Sequence, residues 1–189
     1  MFTITDIILK SLQLYLFCYM GVYWLISLVF YFLDKKSMIY VPITNLKIQP
    51  EKMIDFNKYH QTMFNVFLNQ ILSIPFLIIP ISLIYYIGND MSLTIPSYWI
   101  LSKHIVLSLL IFDIIFFVSH YFSHCGYLYK YFHKIHHEWP SPVAVAAHYN
   151  HFIEHLILNI FAPAISIIII GANYFTMCLW FIIATIAAH

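Results

Sequence analysis

Residues 98–124 read YWILSKHIVLSLLIFDIIFFVSHYFSH. The run from Tyr98 to Ser119 meets the length of about 20 mainly apolar residues that a membrane-crossing helix needs. It continues directly into His120 and, four residues on, His124. Helical residues four apart share a face, so one spanning helix delivers two imidazoles to one side of the membrane. Asp113 lies in the interior of the run, seven residues before His120 and on the same face. An ionisable group inside a membrane helix marks a functional position by default. The alternatives are a hydrogen bond that orients a metal-binding imidazole and a polar contact between helices.

The rest of the chain is equally apolar. Its hydrophobic content is 62% and its charged content 9%, against about 45–50% and about 25% in ordinary soluble domains. A core made by 189 residues cannot hide that much apolar surface, so lipid is the expected solvent. Further apolar runs extend from Ile7 to Leu33 and from Thr62 to Ile87. The second contains Pro75 and Pro80, and a kink packed against neighbouring helices is expected there. Leu156–Ile170 and Tyr174–Ala188 are shorter, with Gly171-Ala172-Asn173 as a turn between them. At 1.5 Å per residue each is about 22 Å long, so the pair reads as a hairpin that crosses and returns or dips most of the way. The expected fold is all-α: a polytopic membrane bundle of three spanning helices plus a C-terminal membrane hairpin. Residues 1–97 form the N-terminal membrane helices and residues 98–189 the histidine-bearing region.

The N-terminus has no cationic stretch and no small-residue cleavage site, so the first run is expected to stay as a membrane helix. The net charge of +1 comes with no basic stripe, which argues against a nucleic-acid partner. Cys18, Cys125 and Cys178 are scattered, odd in number and without a C-x-x-C pair, so they form no disulfide framework. Cys125, beside the histidines, reads as a small buried side chain or a redox-sensitive thiol. The segment 34–61 carries Lys35, Lys36, Lys47, Lys52 and Lys58, while 88–97 carries no lysine. The positive-inside bias then places the first loop in the cytosol. The third helix returns there with His120, and the hairpin ends there with His189.

Eight of the eleven histidines fall between His120 and His155. His133, His136 and His137 stand at i, i+3 and i+4, and His148, His151 and His155 at i, i+3 and i+7. Read as helices, both sets present one face. Imidazole ligates iron, zinc, copper and nickel, and two or three such pairs brought together can hold two metal ions. The second set can ligate, brace ligands by hydrogen bonds or face lipid headgroups. Glu138 and Glu154 adjoin the clusters and are candidates for orienting ligands. His60 and His104 read as membrane-boundary anchors.

The stretch from Asp113 to Glu154 resembles the fatty acid hydroxylase/sterol desaturase superfamily of membrane di-iron oxygenases. Its H-x-x-x-H box stands here as His120-Tyr-Phe-Ser-His124 and its H-x-x-H-H box as His133-Lys-Ile-His136-His137. Glu138-Trp139-Pro140-Ser141-Pro142 and Tyr149-Asn150-His151-Phe152-Ile153-Glu154 look like the sterol C4-methyl oxidase branch. Tyr121 departs from that branch, where Arg is common. The resemblance implies metal ligation by His120, His124, His133, His136, His137 and His189. His148, His151, His155, Asp113, Glu138 and Glu154 are further ligands or residues that brace them. The family's third box, H-x-x-H-H, lies beyond the equivalent of His189, which implies a C-terminally truncated relative.

The chemistry implied is oxidation of an unactivated lipid C–H bond by dioxygen at two iron ions. The implied partners are a membrane lipid substrate and a cytochrome b5-type electron donor, in the endoplasmic reticulum. Hydroxylation, desaturation and demethylation share these boxes, so reaction and lipid stay open. Two other readings compete with the oxygenase. One is a catalytically inactive remnant with a structural or regulatory membrane role. The other is a metal transporter, which fits less well because transport sites lie near the bilayer midplane and these histidines gather at one face.

Overall fold

A computed structural model describes residues 3–189 except 41–44, 46, 53, 87 and 89. Among these the chain is helical, with no strand. Helix α1 spans Ile4–Ser37, α2 Phe56–Tyr86, α3 Tyr98–Ser123 and α4 Gly126–Tyr131. Two 3₁₀ segments follow, His133–Glu138 and Ala144–His148. Helix α5 then runs over Phe152–Ile170 and α6 over Tyr174–Ala187. α1 starts on a capping box, in which the Thr3 hydroxyl accepts from the Asp6 N–H while the Asp6 carboxylate accepts from the Thr3 N–H. α2 starts at Asp55, whose carboxylate accepts the N–H of Asn57 at 2.9 Å. It stays helical through Pro75 and Pro80.

Four helices are long and apolar enough to cross a bilayer. The chain is an integral membrane protein. Its surface is what lipid requires. Phe117, Ile114, Leu110, Ile79 and Leu25 point outward, while Gln70, Ser73, Ser108 and Thr176 are buried. α3 turns most of its surface outward and packs chiefly along α5.

The hairpin differs from expectation. Its first arm begins at Phe152, four residues before the apolar run, and at 19 residues is long enough to span. His151 caps this start by accepting the Ile153 N–H at 3.2 Å. The polar residues that the hydropathy reading excluded are carried into the helix because they find partners inside the protein. Glu154 meets His133, and His155 meets Asn159. The second arm, α6, has 14 residues. Gly171 closes α5 at φ 68°, a left-handed conformation that glycine reaches without steric penalty. Asn173 caps α6 by accepting from the Thr176 N–H.

One core cluster unites Leu14, Tyr15, Leu77, Ile81, Ile160, Ile167, Met177 and Trp180, drawn from α1, α2, α5 and α6. The Trp180 indole N–H donates to the Pro163 carbonyl at 3.0 Å and ties the hairpin arms together. Two long helices, α1 and α5, open into wider π turns, at Leu14–Gly21 and His155–Phe161. The bundle has two distinct ends. At one, the Tyr174 N–H bonds the Asp90 carbonyl and Asn173 bonds Thr94. At the other, Lys58 sits over the Trp139 ring, close to the histidines.

Candidate metal centre

α3 places the histidine pair of its last turn at the polar end of the bundle. The His120 ring stacks on Phe116, and its Nε2 lies 3.2 Å from His124 Nε2. The segment after α4 is a 3₁₀ turn rather than an α-helix, and its three histidines do not share one face. His133 and His137 turn toward the α3 pair. His133 Nε2 stands 3.1 Å from His124 Nε2 and 2.9 Å from His137 Nε2. His136 turns away, and its Nδ1 donates to the Tyr149 carbonyl at 3.3 Å. The first group is therefore His120, His124, His133 and His137.

His148, His151 and His155 do not lie on one helix either. The backbone is extended at Tyr149 and His151, which sends the three rings apart. His148 and His155 meet with ring centroids 5.8 Å apart, and His189 joins at 6.1 Å from His148. His151 is left outside both groups, capping α5 and facing the Phe132 ring. The second group is therefore His148, His155 and His189, with His136 on the wall of the same cavity as His148.

That cavity, about 390 Å3, lies between α1, α3, α5 and α6. Leu109, Phe112, Phe116, Leu158 and Phe181 line it, with Asp113, His136 and His148. Asp113 is exposed, and among the described residues no imidazole bonds it. The expected hydrogen bond to a ligand is absent, because Asp113 turns into the cavity instead. A second cavity, about 670 Å3, opens at the polar end over His136, His137, Trp139 and His189.

The family model of the fatty acid hydroxylases matches residues 105–189. Over these residues the chain is similar to the fatty acid hydroxylase family. A putative methylsterol monooxygenase of Dictyostelium discoideum is 33% identical over 135 residues, 71% of this chain and 50% of that protein. Fatty acid hydroxylase domain-containing protein 2 of Macaca fascicularis is 26% identical over 142 residues, 75% of this chain and 43% of that protein. A very-long-chain aldehyde decarbonylase of Oryza sativa subsp. indica is 28% identical over 120 residues, 62% of this chain and 45% of that protein. The chain thus spans about half the length of the curated relatives it matches. No solved structure matches it.

The superfamily implies iron, and the donor set fits it. Two nitrogens bound about 2.1 Å from one ion stand roughly 3.0–3.4 Å apart, close to the spacings in the first group. Neutral imidazole is the form that binds metal, and burial favours that form at several of these rings. Burial, followed by the neighbouring imidazoles, pushes His148 well below its ordinary value. Burial lowers His136 and His137 as well. In the second group the His155 Nε2 is buried without a partner. His189 donates its Nδ1 proton to the Thr185 carbonyl at 2.9 Å, so its Nε2 is a lone-pair acceptor that a metal would take in place of the Ser27 hydroxyl.

Both carboxylates found beside the histidine boxes brace them. Glu154 Oε1 accepts the Nδ1 proton of His133. Glu138 acts at one remove, accepting from the Tyr149 hydroxyl at 2.9 Å while the Tyr149 carbonyl holds His136. α1 contributes residues that the histidine pattern does not reveal. Tyr23 stacks on His148 with centroids 4.3 Å apart and donates to the Val145 carbonyl. The Tyr19 hydroxyl lies 3.3 Å from His148 Nδ1. Ser27 donates to His189 Nε2 at 3.2 Å. The available signal is their spacing, since Tyr15, Tyr19, Tyr23 and Ser27 recur every four residues in an otherwise apolar run. Cys125 is exposed and stays apart from both groups, against the expectation of a buried side chain.

Proposed function

We propose that this chain forms the metal site of a membrane di-iron oxygenase that oxidises a C–H bond of a sterol or fatty acyl lipid. The observation that carries the reading is a largely apolar cavity inside a membrane bundle with His136 and His148 on its wall and the first imidazole group beside His136. His120, His124, His133 and His137 would hold one ion, and His136, His148, His155 and His189 the other. Iron so held supplies the dioxygen chemistry that no protein acid or base can perform.

The chain's own residues position and insulate. Glu154 and the Tyr149 carbonyl keep protons on the Nδ1 atoms of His133 and His136, so that Nε2 is the donor atom in each. Leu109, Phe112 and Phe116 offer an apolar berth for the lipid body and keep water from it. The opening at the polar end, above His137 and His189, gives an electron donor of the cytochrome b5 type an approach from the cytosol. The lysine bias supports that orientation, and the relatives' names support a lipid substrate.

The test is metal analysis joined to product analysis. The purified chain should carry about two iron atoms and lose them in a His133→Ala/His136→Ala variant. With a reductant and 18O2 it should transfer label to a methylsterol or a long-chain acyl lipid. Less than one metal per chain and no labelled product would instead establish a non-catalytic membrane role.

A further inference from the structure

We propose that a lipid alcohol binds in a second cleft, outside the oxygenase cavity, with its hydroxyl on Glu154. The cleft, about 370 Å3, lies where the last turns of α3, helix α4 and the first turns of α5 meet. Its walls include Val118, Phe122, Leu128, Phe132 and Ile157. Four of these are 40–55% exposed, so the cleft opens on the outer surface of the bundle. None of its lining residues lines the cavity that holds His136 and His148.

Glu154 is the one ionisable residue lining the cleft, and it is 4% exposed. One carboxylate oxygen is taken by His133, while Oε2 is buried with no partner among the described residues. The Ser123 hydroxyl gives its one proton to the Ser119 carbonyl at 2.9 Å and has none to donate to Oε2. A buried polar atom left unpaired in an apolar surround is costly. Oε2 needs a donor if Glu154 is ionised and an acceptor if it is protonated. A hydroxyl is both. One water occupies about 30 Å3 of liquid, far less than this cleft, and apolar walls hold water poorly. A hydroxyl carried on a hydrocarbon body satisfies the oxygen and the walls together. The bound hydroxyl would share one carboxylate with His133, linking the cleft's occupant to the first histidine group. The site requires only the fold and Glu154, and it stands whether or not the other cavity oxidises a lipid.

The experiment uses the full chain in phosphatidylcholine vesicles with two photoreactive probes, a diazirine sterol and a diazirine long-chain primary alcohol. Each is compared with its deoxy counterpart, and crosslinks are mapped by mass spectrometry. At least one alcohol should label residues 118–132 or 153–157 on the order of tenfold more than its deoxy form, the discrimination expected of one hydrogen bond to a charged group. Which alcohol labels identifies the source as sterol or straight-chain lipid. Glu154→Ala should bring alcohol and deoxy probes to the same level. Phe122→Trp fills the cleft without touching His133, and should remove the labelling while bound metal is retained. Equal labelling by alcohol and deoxy probes, no labelling of these peptides, or labelling indifferent to Phe122→Trp would each overturn the proposal.

Discussion

Glu154, buried at the start of α5, accepts the Nδ1 proton of His133, twenty-one residues earlier in the chain. The contact fixes the ring so that Nε2 faces His124 and His137. Removing such a brace typically lowers metal affinity about 10–100-fold. Glu154→Ala should therefore lower the chelator concentration that strips half the metal by a factor within that range. Titration of the metal-loaded protein with a chelator measures it, and an unchanged midpoint would remove Glu154 from the role.

His151 and His155 separate structure from ligation. His151 caps α5, and losing a cap costs about 1 kcal/mol, so His151→Ala should lower the melting temperature slightly and keep the metal. His155→Ala should lose metal, because its buried Nε2 belongs to the second group. Parallel melting curves and metal analyses on the two variants decide the assignment. Equal metal loss in both would sink it.

Asp113 gives a third test. It lines the cavity of His136 and His148 without bonding an imidazole. Asp113→Asn should leave metal content unchanged and shift the affinity or the product pattern for a lipid bound there. Metal loss with unaltered lipid affinity is the contrary result.

The buried histidines set a pH dependence. Burial holds His148 well below 6.5 and lowers His136 in the folded chain, whereas both titrate near 6.5 when unfolded. Above 6.5 both states are neutral at these rings and they add no pH dependence. Below it the unfolded chain gains protons that the folded chain refuses, so stability falls as pH drops. Metal-free protein should thus show a melting temperature flat from pH 7 to 8 and declining from 6.5 downward. His148→Gln should reduce the acid slope, and a slope unchanged in that variant would refute the assignment.

Sidedness has a direct measurement. Glycosylation tags at Ser92 and at Lys47 should report opposite faces, with only the Ser92 tag modified. A modified Lys47 tag would reverse the orientation.

The spanning helices and the His120/His124 pair were legible for different physical reasons. Lipid selects long apolar runs, so hydropathy finds α1, α2 and α3 directly. It places the start of α5 too late, since it cannot see that Glu154 and His155 find their partners inside the protein. The pair His120/His124 survives because its helix is real. His148/His151/His155 does not, because an extended backbone at Tyr149 and His151 breaks the assumed periodicity. Tyr19, Tyr23 and Ser27 escaped notice since aromatic side chains in an apolar helix read as packing. Only the tertiary fold sets them against His148 and His189.

The π turns at Leu14–Gly21 give the first helix a fixed phase. Tyr19 lies within them, while Tyr23 and Ser27 lie just beyond. A helix advances about 100° per residue, and a π turn accommodates an extra residue in the winding. Were the segment to relax to an α-helix with that residue kept, everything after it would rotate. Tyr23 and Ser27 would swing away from the histidines while the hydropathy of the helix barely changed. Such a chain would still insert in the membrane, so the winding of this short window bears on the histidines' surroundings without leaving a trace in hydropathy.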